Sequence, residues 1–281
     1  MNTVLHPRVW QQHASQWSLV GAPLRPSPAD AALMRGAALA HHGPGAHDLQ
    51  VCVLGVTPEV VGLDWPPGST IRAFDHSADM VQKVWRPHPT LRCEVSLADW
   101  SELPLDHGTV DVFAGDNSLG ALPSVVKCQD VLRELHRALK PTGVLCLRCF
   151  IAPELPETLQ AIQEEVGRGR VGSFHALKWR VAMALCPGPD HNVAVHRIVE
   201  CFDSLFPDRQ LLSHRQGWPV TVINTIDAYR DSDVRYTFFT WKALERVAAP
   251  WFSIQTMEYP DYELAERCPT VTLVPRASTA R

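Results

Sequence analysis

The stretch Leu49-Gln50-Val51-Cys52-Val53-Leu54-Gly55-Val56-Thr57-Pro58-Glu59, followed after Pro66-Pro67-Gly68 by Ser69-Thr70-Ile71-Arg72-Ala73-Phe74-Asp75, decides the fold. It reads as a strand, a tight turn with a single glycine, a helix start at Thr57-Pro58 and a second strand that ends on a carboxylate. Such a strand, glycine turn and helix, with an acid at the tip of the next strand, opens a doubly wound nucleoside-binding sheet. The acid is the reason: a carboxylate can accept from two ribose hydroxyls at once.

The alternation continues outward from this opening. Ser77 caps a helix through Met80 to Trp85, and a strand over 92–97 ends at Ala98-Asp99-Trp100. A strand over 110–115 ends at Asp116-Asn117-Ser118. An amphipathic helix then runs from about Ser124 to Lys140, with Val125, Cys128, Val131, Leu132, Leu135 and Leu139 on one side, and stops at Pro141-Thr142-Gly143. Residues 144–151 are near-continuously apolar, as a central parallel strand requires. Strands resume over 252–257 and 271–275. The pattern predicts an α/β protein with a Rossmann-like open sheet of about seven mostly parallel strands and helices on both faces.

Two regions do not alternate. Near the N-terminus a short helix places Trp10, His13 and Trp17 on one face, and a second, over 29–39, has Ser27 as N-cap and Pro28 at its first position. Residues 153–250 carry helical periodicity with little strand pattern. The expected organisation is therefore an N-terminal helical cap (1–47), a nucleoside-binding core (48–151), a helical insertion forming a substrate lid (152–250) and C-terminal strands completing the sheet (251–281). The last few residues are expected to be disordered.

Composition narrows the function classes. Hydrophobic residues make up 46% and charged residues 20%, as in an ordinary globular protein, and the net charge of -4 comes without a basic stripe, which disfavours nucleic acid as partner. The start, Met1-Asn2-Thr3-Val4-Leu5-His6-Pro7, lacks the pattern of a signal peptide, and no run approaches a membrane span, so the expectation is a cytoplasmic protein without a membrane partner. The eight cysteines form no Cys-x-x-Cys pair. They read as reduced, mostly buried thiols, with Cys146 and Cys149 on opposite faces of a strand and no metal site.

Five segments, in order and spacing, carry a family resemblance: Val51-Cys52-Val53-Leu54-Gly55, Phe74-Asp75-His76-Ser77-Ala78-Asp79-Met80, Leu97-Ala98-Asp99-Trp100 with Leu103-Pro104, Thr109-Val110-Asp111-Val112-Phe113, and the run from Leu132 to Gly143. Together they resemble a class I S-adenosylmethionine-dependent methyltransferase. The resemblance covers residues 49–151 and, more weakly, the last two strands. It implies S-adenosyl-L-methionine as cofactor. Asp75, with His76 beside it, would hold the ribose diol, Asp99 would accept from the adenine amino group, and Trp100 and Met80 would wall the ring. Gly55 would let the backbone approach the ligand. Asp116, at the tip of the fourth strand, would stand where cofactor and acceptor meet, as a base or an orienting group.

The chain also departs from that family. Val53 stands where an acid is common, and Thr57 and Glu59 where further glycines are usual. Thr57 can cap a helix that starts at Pro58, and the methionine end of the cofactor would be held by Thr57, backbone amides and Arg25. His175, His191 and His196 are candidates for deprotonating an acceptor, His175 foremost. The many aromatics of the cap and insertion fit an enclosed pocket for a small molecule. The expectation is methyl transfer to O or N of a small-molecule acceptor by a monomer or homodimer. A catalytically idle S-adenosylmethionine-binding or partner subunit is the alternative, and a dinucleotide enzyme is disfavoured by the missing Gly-x-Gly-x-x-Gly.

Overall fold

A computed structural model describes residues 8–186 and 188–277 of the chain; the segments 1–7 and 278–281, for which the sequence suggests no signal peptide and a disordered end, lie outside the described residues. The described residues form nine strands, β1 (Gln50–Leu54), β2 (Thr70–Asp75), β3 (Arg92–Leu97), β4 (Val110–Asp116), β5 (Leu139–Arg148), β6 (Asn192–Ala194), β7 (Arg235–Thr237), β8 (Phe252–Glu258) and β9 (Thr270–Pro275). Seven of them form one sheet in the order β3-β2-β1-β4-β5-β9-β8. Strands β1 to β5 run parallel, and β9 is antiparallel to both its neighbours. The chain builds outward from β1 through β2 and β3, then returns to β4 on the other side. That reversal opens a crevice beyond the carboxyl ends of β1 and β4, where ligands bind in such sheets.

Alternate residues of each central strand feed two cores, as a sheet buried on both faces demands. Val51, Val53, Ile71, Ala73, Val112 and Ala114 face helices α2 (Pro28–His42) and α3 (Pro58–Val61), which contribute Met34, Ala37, Ala38, Val60 and Val61. Cys52, Leu54, Phe74, Phe113, Leu145 and Leu147 face α5 (Val125–Ala138) and α11 (Trp241–Ala248), through Leu132, Leu135, Leu244 and Val247. Burying each large aliphatic side chain contributes about 1.5–3 kcal/mol, so these two layers dominate the hydrophobic stabilisation of the sheet. Cys146 and Cys149 go to opposite cores, and all eight cysteines are free.

A third core belongs to the insertion: α6 (Leu159–Gly167), α7 (Phe174–Ala184) and α8 (Val195–Leu205), with α9 (Arg209–Gln216), α10 (Val220–Ile223) and a 3₁₀ helix at Asn224–Tyr229. Helix α1 (Arg8–Ser15) reaches into it with Val9, and α4 (Ala78–Lys83) packs beneath α1.

Four expectations need correction. The amphipathic helix ends at Ala138, and residues 139–143 already belong to β5, because Leu139 pairs with Val110 and a bulge between Val110 and Val112 resets the register. The same strand stops at Arg148, ahead of Phe150 and Ile151. The insertion contains the antiparallel pair β6–β7, three residues per strand and too short to print an alternation. Helix α2, expected in the cap, lies on the sheet, held by a capping box in which Ser27 and Asp30 satisfy each other's N-terminal amides.

Candidate active site

The β1 turn is built around Gly55, whose φ of 99° is in the region that favours glycine. Its N–H donates to the Phe74 carbonyl at 2.8 Å, locking the turn to the end of β2. A Cβ on Gly55 would stand 3.8 Å from Asp75 Oδ2 and 3.9 Å from the Trp100 ring, so its absence leaves a cradle between carboxylate and indole. Trp100 is fixed by its own Nε1–H, which donates to the Phe74 carbonyl at 2.6 Å. One backbone carbonyl thus organises both the turn and the wall.

Asp75 is buried, its Oδ1 accepting from the Ser77 N–H at 2.8 Å. Burial pushes its carboxyl up to about 6 despite the amide bonds from Ser77 and His76. His76 Nδ1 lies 3.7 Å from Asp75 Oδ1, and the His76 ring meets Trp10 edge-on at 5.6 Å. Ser77 caps α4 through the Met80 N–H at 3.3 Å, which sets Met80 in the wall. Thr57 occupies the N-cap position of α3, but its side chain makes no capping bond.

At the tip of β4, Asp116 is paired at 3.3 Å with Nη1 of Arg148, a guanidinium wholly buried in β5. Arg148 Nε lies 3.3 Å from Asp30 Oδ1 on α2, so one cation serves two carboxylates. Asp116 Oδ1 has no well-aligned hydrogen bond. Burial raises the Asp116 carboxyl to about 6, with Arg148 pulling down and Asp30 and Glu59 pushing up.

These groups line one cleft of about 870 Å³, partly open to solvent. Of the residues singled out in sequence, Gly55, Thr57, Asp75, His76, Met80, Trp100 and Asp116 line it. Three do not. Asp99 is exposed and tied to Lys127 Nζ at 2.9 Å and to the Ser101 N–H at 2.9 Å. Arg25 is committed to Glu59, Nε to Oε1 at 2.5 Å, and stacks over the Trp17 ring. His175 is buried in α7, where its Nε2–H donates to the Leu19 carbonyl at 3.0 Å; burial and the Lys178 charge lower its pKa to about 4. His196 bonds the Ser232 carbonyl at 3.0 Å, away from the cleft.

The same cleft has an aromatic part, here called the chamber, lined by Trp10, Trp17, Phe150, Trp179, Tyr229 and Tyr236, with His13 among them. Tyr229 and Tyr236 stack edge-on at 5.7 Å, and Tyr236 Oη lies 3.3 Å from His13 Nε2. Burial and Lys178 push His13 down to about 3, so it is neutral. The sequence signal for this chamber was the Trp10, His13, Trp17 face. Its other members come from the insertion, brought there by tertiary packing. Arg148 and Lys178 had a fainter signal, a charge flanked on both sides by apolar residues.

Residues 55–147 match the family model of a methyltransferase domain. Among solved structures, the CcbJ methyltransferase from Streptomyces caelestis is similar at 15% identity, over 97% of this chain and 99% of that one, with a TM-score of 0.54. A protein from Rhodobacter sphaeroides described as a putative Zn-dependent alcohol dehydrogenase is similar at 14% identity, over 95% and 98%, with a TM-score of 0.53. A chain from the complex of the Haloferax volcanii Trm112 methyltransferase activator with its putative methyltransferase is similar at 13% identity, over 95% and 98%, with a TM-score of 0.50. At these identities the likenesses establish the fold. No curated protein matches the chain. The match to the methyltransferase-domain model spans the β1 turn to the end of β5, and the sheet order and crevice are those of a Rossmann-like fold.

Proposed function

We propose that the protein transfers the methyl group of S-adenosyl-L-methionine to an oxygen or nitrogen of a small-molecule acceptor. The observation that carries this reading is the continuity of one cleft from the Gly55–Asp75–Trp100 cradle, through Asp116, into an aromatic chamber closed by α1 and the insertion. Asp75 Oδ2 and the space left by Gly55 suit a ribose diol, and Met80 and Trp100 suit the flat faces of adenine. The Asp116 carboxylate, whose Oδ1 is ion-paired with Arg148 but has no aligned hydrogen bond, suits the cationic methionine end or the sulfonium. When bound, the cofactor supplies an electrophilic methyl on a sulfonium, so the protein's task is largely alignment and exclusion of water. The enclosed, aromatic shape of the chamber favours a small planar acceptor over a polymer.

The test is titration calorimetry with S-adenosylmethionine, S-adenosylhomocysteine and NAD, followed by turnover on a panel of small hydroxy and amino compounds. Saturable binding of the first two and methylation of a panel member are expected. Failure to bind either would overturn the reading, and tight binding without turnover would turn it into that of an idle binding subunit.

A further inference from the structure

Several buried polar atoms around the cleft lack an aligned hydrogen bond. At the cofactor end Asp116 Oδ1 and Arg148 Nη1, 3.3 Å apart, both lack an aligned hydrogen bond. In the chamber the unpartnered atoms are Trp17 Nε1, Trp179 Nε1 and the hydroxyl of Tyr229, which are two obligatory donors and a hydroxyl that can donate. Against the Tyr229 ring, 4.8 Å from its centroid, stands Lys178 Nζ, on a side chain 1% exposed and itself without a hydrogen bond. Among the described residues no carboxylate pairs with it. The ionisable groups around it are His13 from α1, His175 from its own helix, Tyr229 from the 3₁₀ helix and, next to that, Tyr236 from β7. None can carry a negative charge cheaply there: burial raises both tyrosines far above their ordinary range, and both histidines are held neutral.

A buried amine that no protein anion satisfies, beside a tyrosine pair whose hydroxyls have only each other and the neutral His13, is costly unless a ligand supplies an anion. We propose that the chamber binds its acceptor as an aromatic oxyanion, the phenolate of a hydroxyarene, with the Tyr229 hydroxyl donating to the anionic oxygen and Lys178 supplying the balancing charge. This deepens the methyltransferase reading and rests on it. The walls select the ring: Trp10, Phe150 and Trp179 present flat or edge-on aromatic surface. The donors select the anionic oxygen, and Lys178 acts through Tyr229 as a positioning charge. The acceptor's hydroxyl proton leaves to solvent on binding, so the bound oxygen is already in its nucleophilic form. Burial lowers Lys178 to about 7, which lets the ammonium form when an anion arrives and revert when the anion is consumed.

The probe is para-nitrophenol, whose ionised form absorbs visibly, titrated across pH in the presence of saturating S-adenosylhomocysteine. In the wild-type protein the bound probe should ionise at least one pH unit lower than the free probe, a tenfold or greater preference for the anion. Lys178→Met should leave S-adenosylhomocysteine affinity unchanged within twofold and abolish that shift; Tyr229→Phe should reduce it. A bound probe that stays neutral, a shift that survives in Lys178→Met, or a probe that does not bind while S-adenosylhomocysteine does would each overturn the proposal. Binding of para-nitrobenzoate with exclusion of para-nitrophenol would overturn the phenolate assignment in favour of a carboxylate. Loss of S-adenosylhomocysteine binding in the wild type would instead defeat the cofactor reading beneath it.

Discussion

Arg148 Nη1 lies 3.3 Å from Asp116 Oδ1, and neither the guanidinium nor the carboxylate is open to bulk water. The same guanidinium lies 3.3 Å from Asp30 Oδ1, and its Nη2 donates to the Pro23 carbonyl. One cation in β5 therefore ties the floor of the cleft to α2 and to the loop that follows α1. Removing it would leave two carboxylates facing each other in a low-dielectric setting. Arg148→Met is expected to lose about 3–5 kcal/mol of stability, the range for breaking a buried ion pair from one side. Adding Asp30→Asn should restore part of that loss, and denaturant unfolding of the single and double variants measures the coupling.

Asp75 gives a pH dependence of two opposite signs. Its folded pKa, about 6, is above the ordinary 3.8, so the folded state holds the proton more tightly. The contribution of this group to apo stability is thus complete at low pH and is lost as pH rises from about 4 through 6. Ribose hydroxyls need the ionised carboxylate, so S-adenosylhomocysteine affinity should instead fall as pH drops below about 6. Asp75→Asn should weaken binding at neutral pH by about 10–100-fold, the loss of a charged hydrogen-bond acceptor, and flatten the affinity profile. Calorimetry at several pH values separates the two trends; a profile unchanged by the substitution would mean that another group controls binding.

What sequence could show here depended on periodicity and on local spacing. The parallel strands were legible because two-faced burial forces continuous apolar runs, as in residues 144–147. Asp75, Trp100 and Asp116 were legible because strand tips in such a sheet have one place to go. The start of β5 was misread because Lys140-Pro141-Thr142-Gly143 has turn composition, while the bulge at Val110 that pulls it into the sheet is a long-range feature. Asp99 was placed by its strand tip, but Lys127, 28 residues on, captures its carboxylate. Arg25 is captured by Glu59 in the same way. The chamber was the least legible part, since Trp10, Phe150, Trp179 and Tyr236 meet only after four separate elements have packed.

Gly55 carries a steric and a conformational demand together. At φ 99° an alanine is strained whatever the space around it, by about 1–2 kcal/mol. Its Cβ would also project into the gap between Asp75 Oδ2 and Trp100. Gly55→Ala is expected to lower the unfolding midpoint modestly and to reduce S-adenosylhomocysteine affinity far more than that strain accounts for. Comparing melting shift with calorimetric affinity checks it: a variant that binds normally would show that the cradle is not where the ligand lies.

Lys178 should be a residue at which the protein is less stable than it could be. Its ammonium is buried, pairs with no carboxylate among the described residues, and contacts the faces of Tyr229 and Trp179 at 4.8 and 5.9 Å. Such cation–π contact recovers only part of the desolvation cost. Methionine has nearly the same length and no charge, so Lys178→Met should raise stability by about 1–3 kcal/mol. The sign with pH follows from the direction of the shift. The folded pKa is about 7 and the ordinary value 10.5, so between them the unfolded chain binds the proton that the folded chain does not. The wild-type penalty is full below pH about 7 and fades as pH rises toward the ordinary value. The stability gain of Lys178→Met should therefore be largest at neutral pH and shrink steadily in alkaline buffer. Thermal melts of both proteins across that range decide it: a constant gain would assign the effect to packing, and a loss would mean that an anion of the protein already balances the amine.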